Sequence, residues 1–454
     1  MADDSRRTST PVSRGRRFLK LAGMTASVAG NFAADRIKKA LGSEDDENAL
    51  HRLNGERIAK TLGELKGAAM KIGQMASIGS DVLPKELSGA LQKLQKEAPP
   101  MAFDVIAEQI EREFGSPPQL LFDWFDEEPF ASASIGQVHR ARVDDGREVV
   151  VKVQYPGVDA SVDSDLAHLK LALKASGLVN KAHRRALNKV FEEVRARLHE
   201  ELDYTNEAEN VRRFHRFHAQ HDFVAVPDVV GERSSKRVLT LTYEPSDALT
   251  DLDELGYEQS VRDTLGLHLF RSMVAQIFEF GSIQADPNPA NYGFRRDGTV
   301  VLYDFGCVKD IKPEVLTSWS NAIVSGLEED YEAVDRYMFE LGARNPDGPD
   351  IDPLFYKPWR DLLVEPMLSQ PQPYDYGTSN LHARGVKLVT SSMRHINAFQ
   401  PPVELVFLDR TVGGNYGNLR AIGTRADLID EFLPQLWATA GREGDPVVPP
   451  PPGA

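Results

Sequence analysis

The sequence predicts an α+β chain in which a small β-rich unit precedes a larger helical one. Strand patterns come first, because the hairpin signal Asp145-Gly146 precedes the apolar run Val149-Val150-Val151, and residues 238–242 alternate between apolar and polar. Helical spacing then dominates residues 258–281 and nearly everything from Pro313 to Arg442. The two kinds of structure are therefore expected to occupy separate parts of the chain.

Helices are also predicted around these first strands. Between residues 58 and 75 the apolar side chains recur every three or four positions, which is typical of an amphipathic helix. A second helix is predicted over Phe103 to Phe114, after the break at Pro99-Pro100. Residues 159–218 return to helical spacing. A helical extension therefore precedes the β-rich unit, and a helical insert interrupts it.

Charge and cysteine content exclude several classes of protein. The chain has 53 Lys and Arg against 68 Asp and Glu, a net charge of −15, which argues against nucleic acid as a partner. The single Cys307 excludes a disulfide framework and any multi-cysteine zinc or iron–sulfur site. No uncharged stretch reaches the ~20 residues that a membrane-spanning helix needs.

The first 20 residues differ from the rest because six basic residues stand there against two acidic ones. Three interpretations remain open: a solvated arm, a basic helix on an anionic membrane surface, and a signal of the twin-arginine type. Residues 16–20 resemble that signal, but the usual residue between the arginine pair and Phe18 is missing. Peripheral membrane contact through this arm is therefore one expectation, with the chain on the cytoplasmic, inner face of the membrane.

The strongest chemical pattern is an Asp and an Asn on one loop, followed by a hairpin and a second Asp. Asp286 and Asn291 are five residues apart, and Asp304 begins Asp-Phe-Gly after the hairpin at Asp297-Gly298. Phosphoryl transfer needs a carboxylate near the attacking oxygen and oxygen ligands for Mg²⁺. Asp286 is thus predicted to be the base or orienting group, while Asn291 and Asp304 bind metal. The alternative is a simple turn with a strand-end cap.

Lys152 is the predicted phosphate-binding lysine, since it follows an apolar strand ahead of the metal-binding loop. No Gly-x-Gly-x-x-Gly precedes it, and the expected loop position holds Phe130 to His139 instead. The Cβ atoms of alanine keep a backbone from approaching phosphates as closely as glycine does, although serine hydroxyls add donors. Nucleotide is therefore expected to be held differently from an ordinary protein kinase, by Ala131, Ser132, Ala133 and Ser134.

Four features in this order resemble the UbiB (AarF-type) family of atypical protein-kinase-like proteins. They are Lys71-Ile72-Gly73-Gln74, the Ala-rich segment from Ala131 to His139, Glu201-Leu202-Asp203, and the set of Asp286, Asn291 and Asp304. Residues 409–411 and 416–419 extend the likeness toward the C-terminus. The resemblance implies a two-lobed protein-kinase-like fold with a small β-rich N-lobe, a larger helical C-lobe and a helical N-terminal extension.

With that resemblance the expected domains can be placed on the chain. They are a basic arm with an acidic linker at 1–50, a helical extension at 51–118, an N-lobe with a helical insert at 119–247, a C-lobe at 248–442, and a Pro-rich tail at 443–454.

The resemblance also implies roles for individual residues. Lys152 would pair with Glu207, and Lys71 and Gln74 would point into the site from the extension. A tethered helix has a high effective concentration, so the extension would disfavour phosphorylation of proteins.

Further nucleotide contacts follow from the same likeness. Glu201 and Asp203 would face the nucleotide or metal. Residues 239–244 correspond to the hinge, so Leu241 and Tyr243 would contact adenine. Many relatives have an acidic residue where Thr242 falls, so either these contacts come from the backbone or Glu244 shifts in register.

Three functions compete on this basis. The first is an ATP- and Mg-dependent atypical kinase or ATPase that supports isoprenoid-lipid or quinone biosynthesis, with an isoprenoid or quinone-type lipid as partner. The second is a nucleotide-switched pseudokinase that binds lipids or partners. The third, an antibiotic- or sugar-phosphorylating enzyme, shares the Asp–Asn–Asp geometry but leaves Lys71, Gln74, Glu201 and Asp203 unexplained.

Overall fold

The computed structural model describes residues 100–446, apart from 134, 159–162, 164–165, 168–169, 171–190, 193–194, 196–197, 201 and 401. The chain divides into two compact units. Unit 1 runs up to Glu209 and includes Asp228–Tyr243, while unit 2 comprises Asn210–Pro227 and everything from Glu244 onward. The domain boundaries proposed from the sequence stay predictions.

The described residues form helices and short strands, numbered here in chain order. The helices α1 to α10 are Phe103–Phe114, Pro118–Leu121, Tyr204–His218, Gln259–Ala275, Pro313–Leu327, Tyr331–Glu340, Lys357–Leu368, Leu381–Ser392, Val403–Ile422 and Ile429–Thr439. The strands β1 to β12 are Trp124–Phe125, Ala131–Ala133, Gly136–Arg142, Glu148–Gln154, Val224–Ala225, Val238–Thr242, Ser282–Gln284, Tyr292–Phe294, Val300–Leu302, Val308–Asp310, Tyr374–Asp375 and Arg425–Ala426.

Unit 1 contains an antiparallel sheet in the order β1-β3-β4-β6, with β2 paired to β3. Val149, Val151 and Val153 alternate along β4 and are fully buried, as one face of a half-exposed strand requires. Ile106 and Ile110 of α1 are equally buried and belong to the same core cluster. The predicted helix over Phe103 to Phe114 and the predicted strands in this part of the sequence are confirmed.

The Ala-rich segment is a β-hairpin, where a loop was expected. Strands β2 and β3 pair in the register Ala131↔Val138 and Ala133↔Gly136. The Phe130 N–H donates to the Val138 carbonyl at 2.8 Å, a normal distance for a backbone hydrogen bond. Gly136 allows β3 to lie close to β4, because a Cβ at this position would stand 2.1 Å from the Val153 carbonyl oxygen. The expectation of a loop was wrong because the small side chains still permit regular strand pairing.

Unit 2 is mainly helical and carries three small β elements. They are the pair β10-β7, the three-stranded sheet β5-β9-β8 and the pair β11-β12. Its core is a large cluster around fully buried Val324, Leu408 and Leu436, to which α5, α9 and α10 contribute. The helices predicted after Pro313 are confirmed. Among the described helices, none has both the length and the apolar character that crossing a bilayer requires.

Candidate active site

Asp286 and Asn291 lie on the short connection between β7 and β8 in unit 2. Pro289–Asn291 forms one turn of 3₁₀ helix, and the Asn288 side chain caps this turn by accepting from Ala290 N–H at 3.1 Å. Asn291 Nδ2 donates to the Asp286 carbonyl at 2.9 Å and lies 3.4 Å from Asp286 Oδ2. Since Nδ2 is used in this way, Oδ1 of Asn291 is the atom left to bind a metal.

Arg410 also contacts Asp286. Arg410 Nη2 donates to Asp286 Oδ1 at 2.5 Å, and the two side chains are 21% and 18% exposed. Residues 409–411 contribute to the family resemblance, but no role for Arg410 follows from the sequence. The two residues are 124 positions apart, so no spacing rule in the sequence connects them.

Asp304 follows β9, the second strand of the hairpin that begins at Tyr292. Tyr292 pairs with Leu302, and the same register sets Asn291 opposite Tyr303, one residue before Asp304. Asp304 Oδ1 accepts from Gly306 N–H at 3.0 Å, and its carbonyl accepts from the Gln284 side chain. The hairpin therefore holds the two predicted metal ligands close to each other in the backbone register.

Phe305 anchors this segment in the core of unit 2. It is fully buried, and its ring centroid lies 4.8 Å from that of Phe214. Its carbonyl accepts from Asn210 Nδ2 at 3.1 Å. Cys307 is buried as well.

The donor atoms of this loop fit magnesium. Mg²⁺ usually takes only one or two carboxylates from the protein and completes its coordination with phosphate oxygens and water. Asp304 supplies a carboxylate and Asn291 an amide oxygen, which matches that pattern. Within the part of the chain that the structure describes, no cluster of three or more His, Cys, Asp or Glu residues could hold a metal. The pair therefore suits a metal that arrives with a nucleotide.

Lys152 and Glu207 form a buried ion pair in unit 1. Lys152 Nζ lies 2.8 Å from Glu207 Oε1 and 3.0 Å from Oε2, and the two side chains are 16% and 4% exposed. Lys152 lies on β4 and Glu207 on α3, 55 residues later. The Tyr204 ring lies 5.1 Å from the lysine nitrogen and adds a cation–π contact. The pairing that the resemblance implied is therefore present in the structure.

Asp203 directly precedes α3 and caps it. Its Oδ1 accepts from the Thr205 N–H at 3.0 Å and from the Thr205 hydroxyl at 2.5 Å. Partial burial works to raise the pKa of Asp203, but these hydrogen bonds outweigh it and hold the pKa below its usual value. The structure gives Asp203 a capping role, and its contact with nucleotide stays a prediction.

Leu241 lies on β6 and Tyr243 just after it, in the segment predicted to be the hinge. Leu241 is buried and pairs with Val150. The Tyr243 N–H donates to the Glu148 carbonyl at 2.9 Å, so this amide is already used within the sheet. A backbone contact between Tyr243 and adenine, which stays a prediction, would therefore use the carbonyl oxygen.

The other predicted nucleotide contacts are less fully described. Ala131 and Ser132 are exposed on β2, and Ala133 is half-buried. Ser134, Glu201, Lys71 and Gln74 lie outside the described residues. Lys152, Glu207, Asp203, Leu241 and Tyr243 thus belong to unit 1, and Asp286, Asn291, Asp304 and Arg410 to unit 2.

Comparison with known proteins identifies the family. Residues 93–338, more than half of the chain, match the ABC1 atypical kinase-like domain. The chloroplastic protein ACTIVITY OF BC1 COMPLEX KINASE 7 of Arabidopsis thaliana is 33% identical over 67% of this chain and 44% of its own length. The mitochondrial atypical kinase coq-8 of Caenorhabditis elegans is 30% identical, with 91% and 56% covered. The chain therefore spans about half the length of these two relatives.

In two further comparisons the alignment covers more of the matched protein's own length. The mitochondrial atypical kinase COQ8B of Rattus norvegicus is 30% identical over 97% of this chain and 84% of its own length. Among solved structures, the complex of Rv3197 with erythromycin from Mycobacterium tuberculosis has a TM-score of 0.60 at 26% identity, covering 88% of this chain and 96% of that one. The chain accordingly belongs to the UbiB family of ABC1 atypical kinase-like proteins and has their two-lobed α+β kinase-like fold.

Proposed function

We propose that this protein is an ATP- and Mg-dependent atypical kinase or ATPase. The observation that carries the proposal is the buried Lys152–Glu207 ion pair at 2.8 and 3.0 Å. A buried charge pair is costly unless it is well hydrogen-bonded, and phosphate binding gives this one a use beyond stability. The loop with Asp286 and Asn291, and Asp304 after it, adds the remaining groups that phosphoryl transfer needs.

In this proposal each residue has one task. Lys152 binds the α- and β-phosphates, and Glu207 holds its ammonium group in place. Asn291 and Asp304 hold Mg²⁺, which supplies charge neutralisation at the phosphates when bound. The acceptor oxygen, from water or a hydroxyl compound, forms a bond to the γ-phosphorus while the β–γ bridging bond breaks, and its electron pair leaves with ADP. Asp286 receives the proton of the acceptor.

Magnesium-dependent nucleotide binding tests this assignment. We expect Asp304→Asn to lose most of its magnesium-dependent affinity for an ATP analogue, because the metal loses a charged ligand. Binding is measured by titration calorimetry with and without magnesium. Asp347→Asn, at an exposed loop position, serves as the matched control. Equal magnesium-dependent binding by wild type and Asp304→Asn would sink the assignment.

The acceptor and the cellular setting are proposed from the family. Support of isoprenoid-lipid or quinone biosynthesis rests on the resemblance and on relatives named COQ8 and COQ8B. The 51–118 extension with Lys71 and Gln74 is proposed to disfavour protein substrates. The solved relative with erythromycin makes macrolides worth including among the acceptors assayed.

Peripheral membrane contact at the inner face is tested by vesicle flotation with and without residues 1–40, and equal flotation would discard it.

The alternative is a nucleotide-switched pseudokinase that serves as a lipid- or partner-binding module. The observation that favours this alternative is the contact of Arg410 with Asp286, because it occupies one oxygen of the proposed base. A switch needs nucleotide binding but no base. Turnover by wild type and by Asp286→Asn therefore separates the two functions.

A further inference from the structure

Helix α9 presents one face to the loop that carries Asp286. Arg410, Gly414 and Asn418 are four residues apart, so they lie above one another on the same side of the helix. All three contact either Asp286 or Pro287. The loop is therefore supported by one helix face as well as by its own hydrogen bonds.

Gly414 and Asn418 fix the distance between the helix and the loop. A Cβ at Gly414 would lie 2.1 Å from Pro287 Cγ, so only glycine allows this approach. Asn418 is buried, and its Nδ2 donates to the Pro287 carbonyl at 3.1 Å. These contacts hold the backbone next to Asp286 and leave its carboxylate to be oriented by another group.

Arg410 supplies that orientation. It donates to Asp286 Oδ1 at 2.5 Å, while Asp286 Oδ2 has only the 3.4 Å approach of Asn291 Nδ2 among the described residues. A short charge-assisted hydrogen bond is about twice as strong as a neutral one and restricts the rotation of the carboxylate. The two oxygens are therefore distinguished, with Oδ1 held by the helix and Oδ2 available.

We propose that Arg410 is a positioning residue that holds Asp286 so that Oδ2 receives the acceptor proton. This inference rests on the proposed function of Asp286 as the base. Arg410 touches neither nucleotide nor acceptor in this scheme and acts through the carboxylate alone. Its removal should therefore change the rate of the chemical step and leave nucleotide binding intact.

Steady-state kinetics of Arg410→Ala and Arg410→Lys test the proposal. We expect kcat to fall roughly ten- to a hundredfold in Arg410→Ala, because a misplaced base costs rate even at small displacements. The KM for ATP and the nucleotide affinity should stay within about twofold of wild type. Arg410→Lys keeps the charge but lacks the planar fork, so an intermediate kcat is expected. Arg420→Ala, an exposed arginine on the same helix, is the matched control and should keep the wild-type rate.

Two more readouts separate positioning from a general structural effect. Added guanidinium should restore part of the kcat of Arg410→Ala, since it can refill the vacated space beside Asp286. In an Asp286→Asn background, Arg410→Ala should have no further effect on kcat, because the residue acts through that carboxylate. A structural role would give a parallel loss of nucleotide affinity, no rescue and additive effects, and that result would overturn the proposal.

The outcomes also distinguish this inference from the proposed function. If wild-type turnover depends on Asp286 but is unchanged in Arg410→Ala, the inference alone fails. If the wild-type protein turns over no ATP, or Asp286→Asn matches it, the proposed function fails and the inference falls with it.

Discussion

At the residue scale, the buried Lys152–Glu207 ion pair joins a proposed role in nucleotide binding to an effect on stability. Removing one partner of a buried pair leaves an uncompensated charge and typically costs about 3–5 kcal/mol, whereas replacing both with apolar residues is often neutral. The 4% exposure of the Glu207 side chain places this pair in that class. The pair therefore allows stability and nucleotide binding to be varied separately.

We expect Lys152→Met to lower the free energy of unfolding by about 3 kcal/mol, since it leaves the Glu207 carboxylate buried without its ammonium partner. The double variant Lys152→Met/Glu207→Leu should recover most of that loss and still fail to bind ATP. Chemical denaturation and nucleotide titration measure the two quantities. If the double variant bound ATP like the wild type, Lys152 would not be part of the nucleotide-binding site.

His218 in unit 2 predicts a dependence of stability on pH. It is 2% exposed, and neither ring nitrogen has a hydrogen-bond partner among the described residues. Burial, with a smaller contribution from the neighbouring His221, lowers the pKa of His218 to about 3. The unfolded chain takes up this proton near pH 6.5, but the folded chain does so only near pH 3. Stability is therefore lost as the pH falls from about 6.5 toward 3.

At pH 5 the lowered pKa of His218 reduces the free energy of unfolding by roughly 2 kcal/mol relative to neutral pH. We expect His218→Leu, which removes the titrating group, to be less destabilised than wild type on going from pH 7.5 to pH 5. Urea denaturation at the two pH values measures this. His382→Gln is the control, because His382 is exposed. An unchanged acid sensitivity in His218→Leu would contradict the assignment.

At the element scale, α9 contains two adjacent glycines in different surroundings. A Cβ at Gly413 would meet nothing within 4 Å among the described residues, whereas one at Gly414 would collide with Pro287. Gly413→Ala should therefore stabilise the protein by up to about 1 kcal/mol through helix propensity alone. Gly414→Ala should displace the loop and lower kcat by at least about tenfold. Thermal denaturation and ATP turnover of the two variants check this, and equal behaviour would show that α9 does not support the loop.

Periodicity in the sequence predicted the elements that have enough length to show it. The helix Phe103–Phe114 and the apolar strand β4 agree with their patterns because burial on one face repeats along them. The strands β11 and β12 have two residues each and carry no period, so they were missed. The hairpin β2–β3 was missed for a different reason, since alanine and serine favour no particular strand pattern.

The residues of the candidate site also differ in how far local sequence patterns could predict them. Asp286, Asn291 and Asp304 could be predicted as candidates because they are close in sequence and their spacing matches the chemistry. Lys152 and Glu207 needed the family resemblance to be paired across 55 residues. No role could be predicted for Arg410, because its contact with Asp286 depends on how α9 packs against the loop and on no local pattern.

For the whole molecule, the central claim is that the protein turns over ATP in a magnesium-dependent reaction that needs Asp286. Its most direct test is the rate of γ-phosphate release from ATP by the full-length wild type and by Asp286→Asn, with and without magnesium. We predict magnesium-dependent release by the wild type, a loss of at least about a hundredfold in Asp286→Asn, and nucleotide binding retained in both. Release that is equal in the two proteins, or independent of magnesium, would contradict the account.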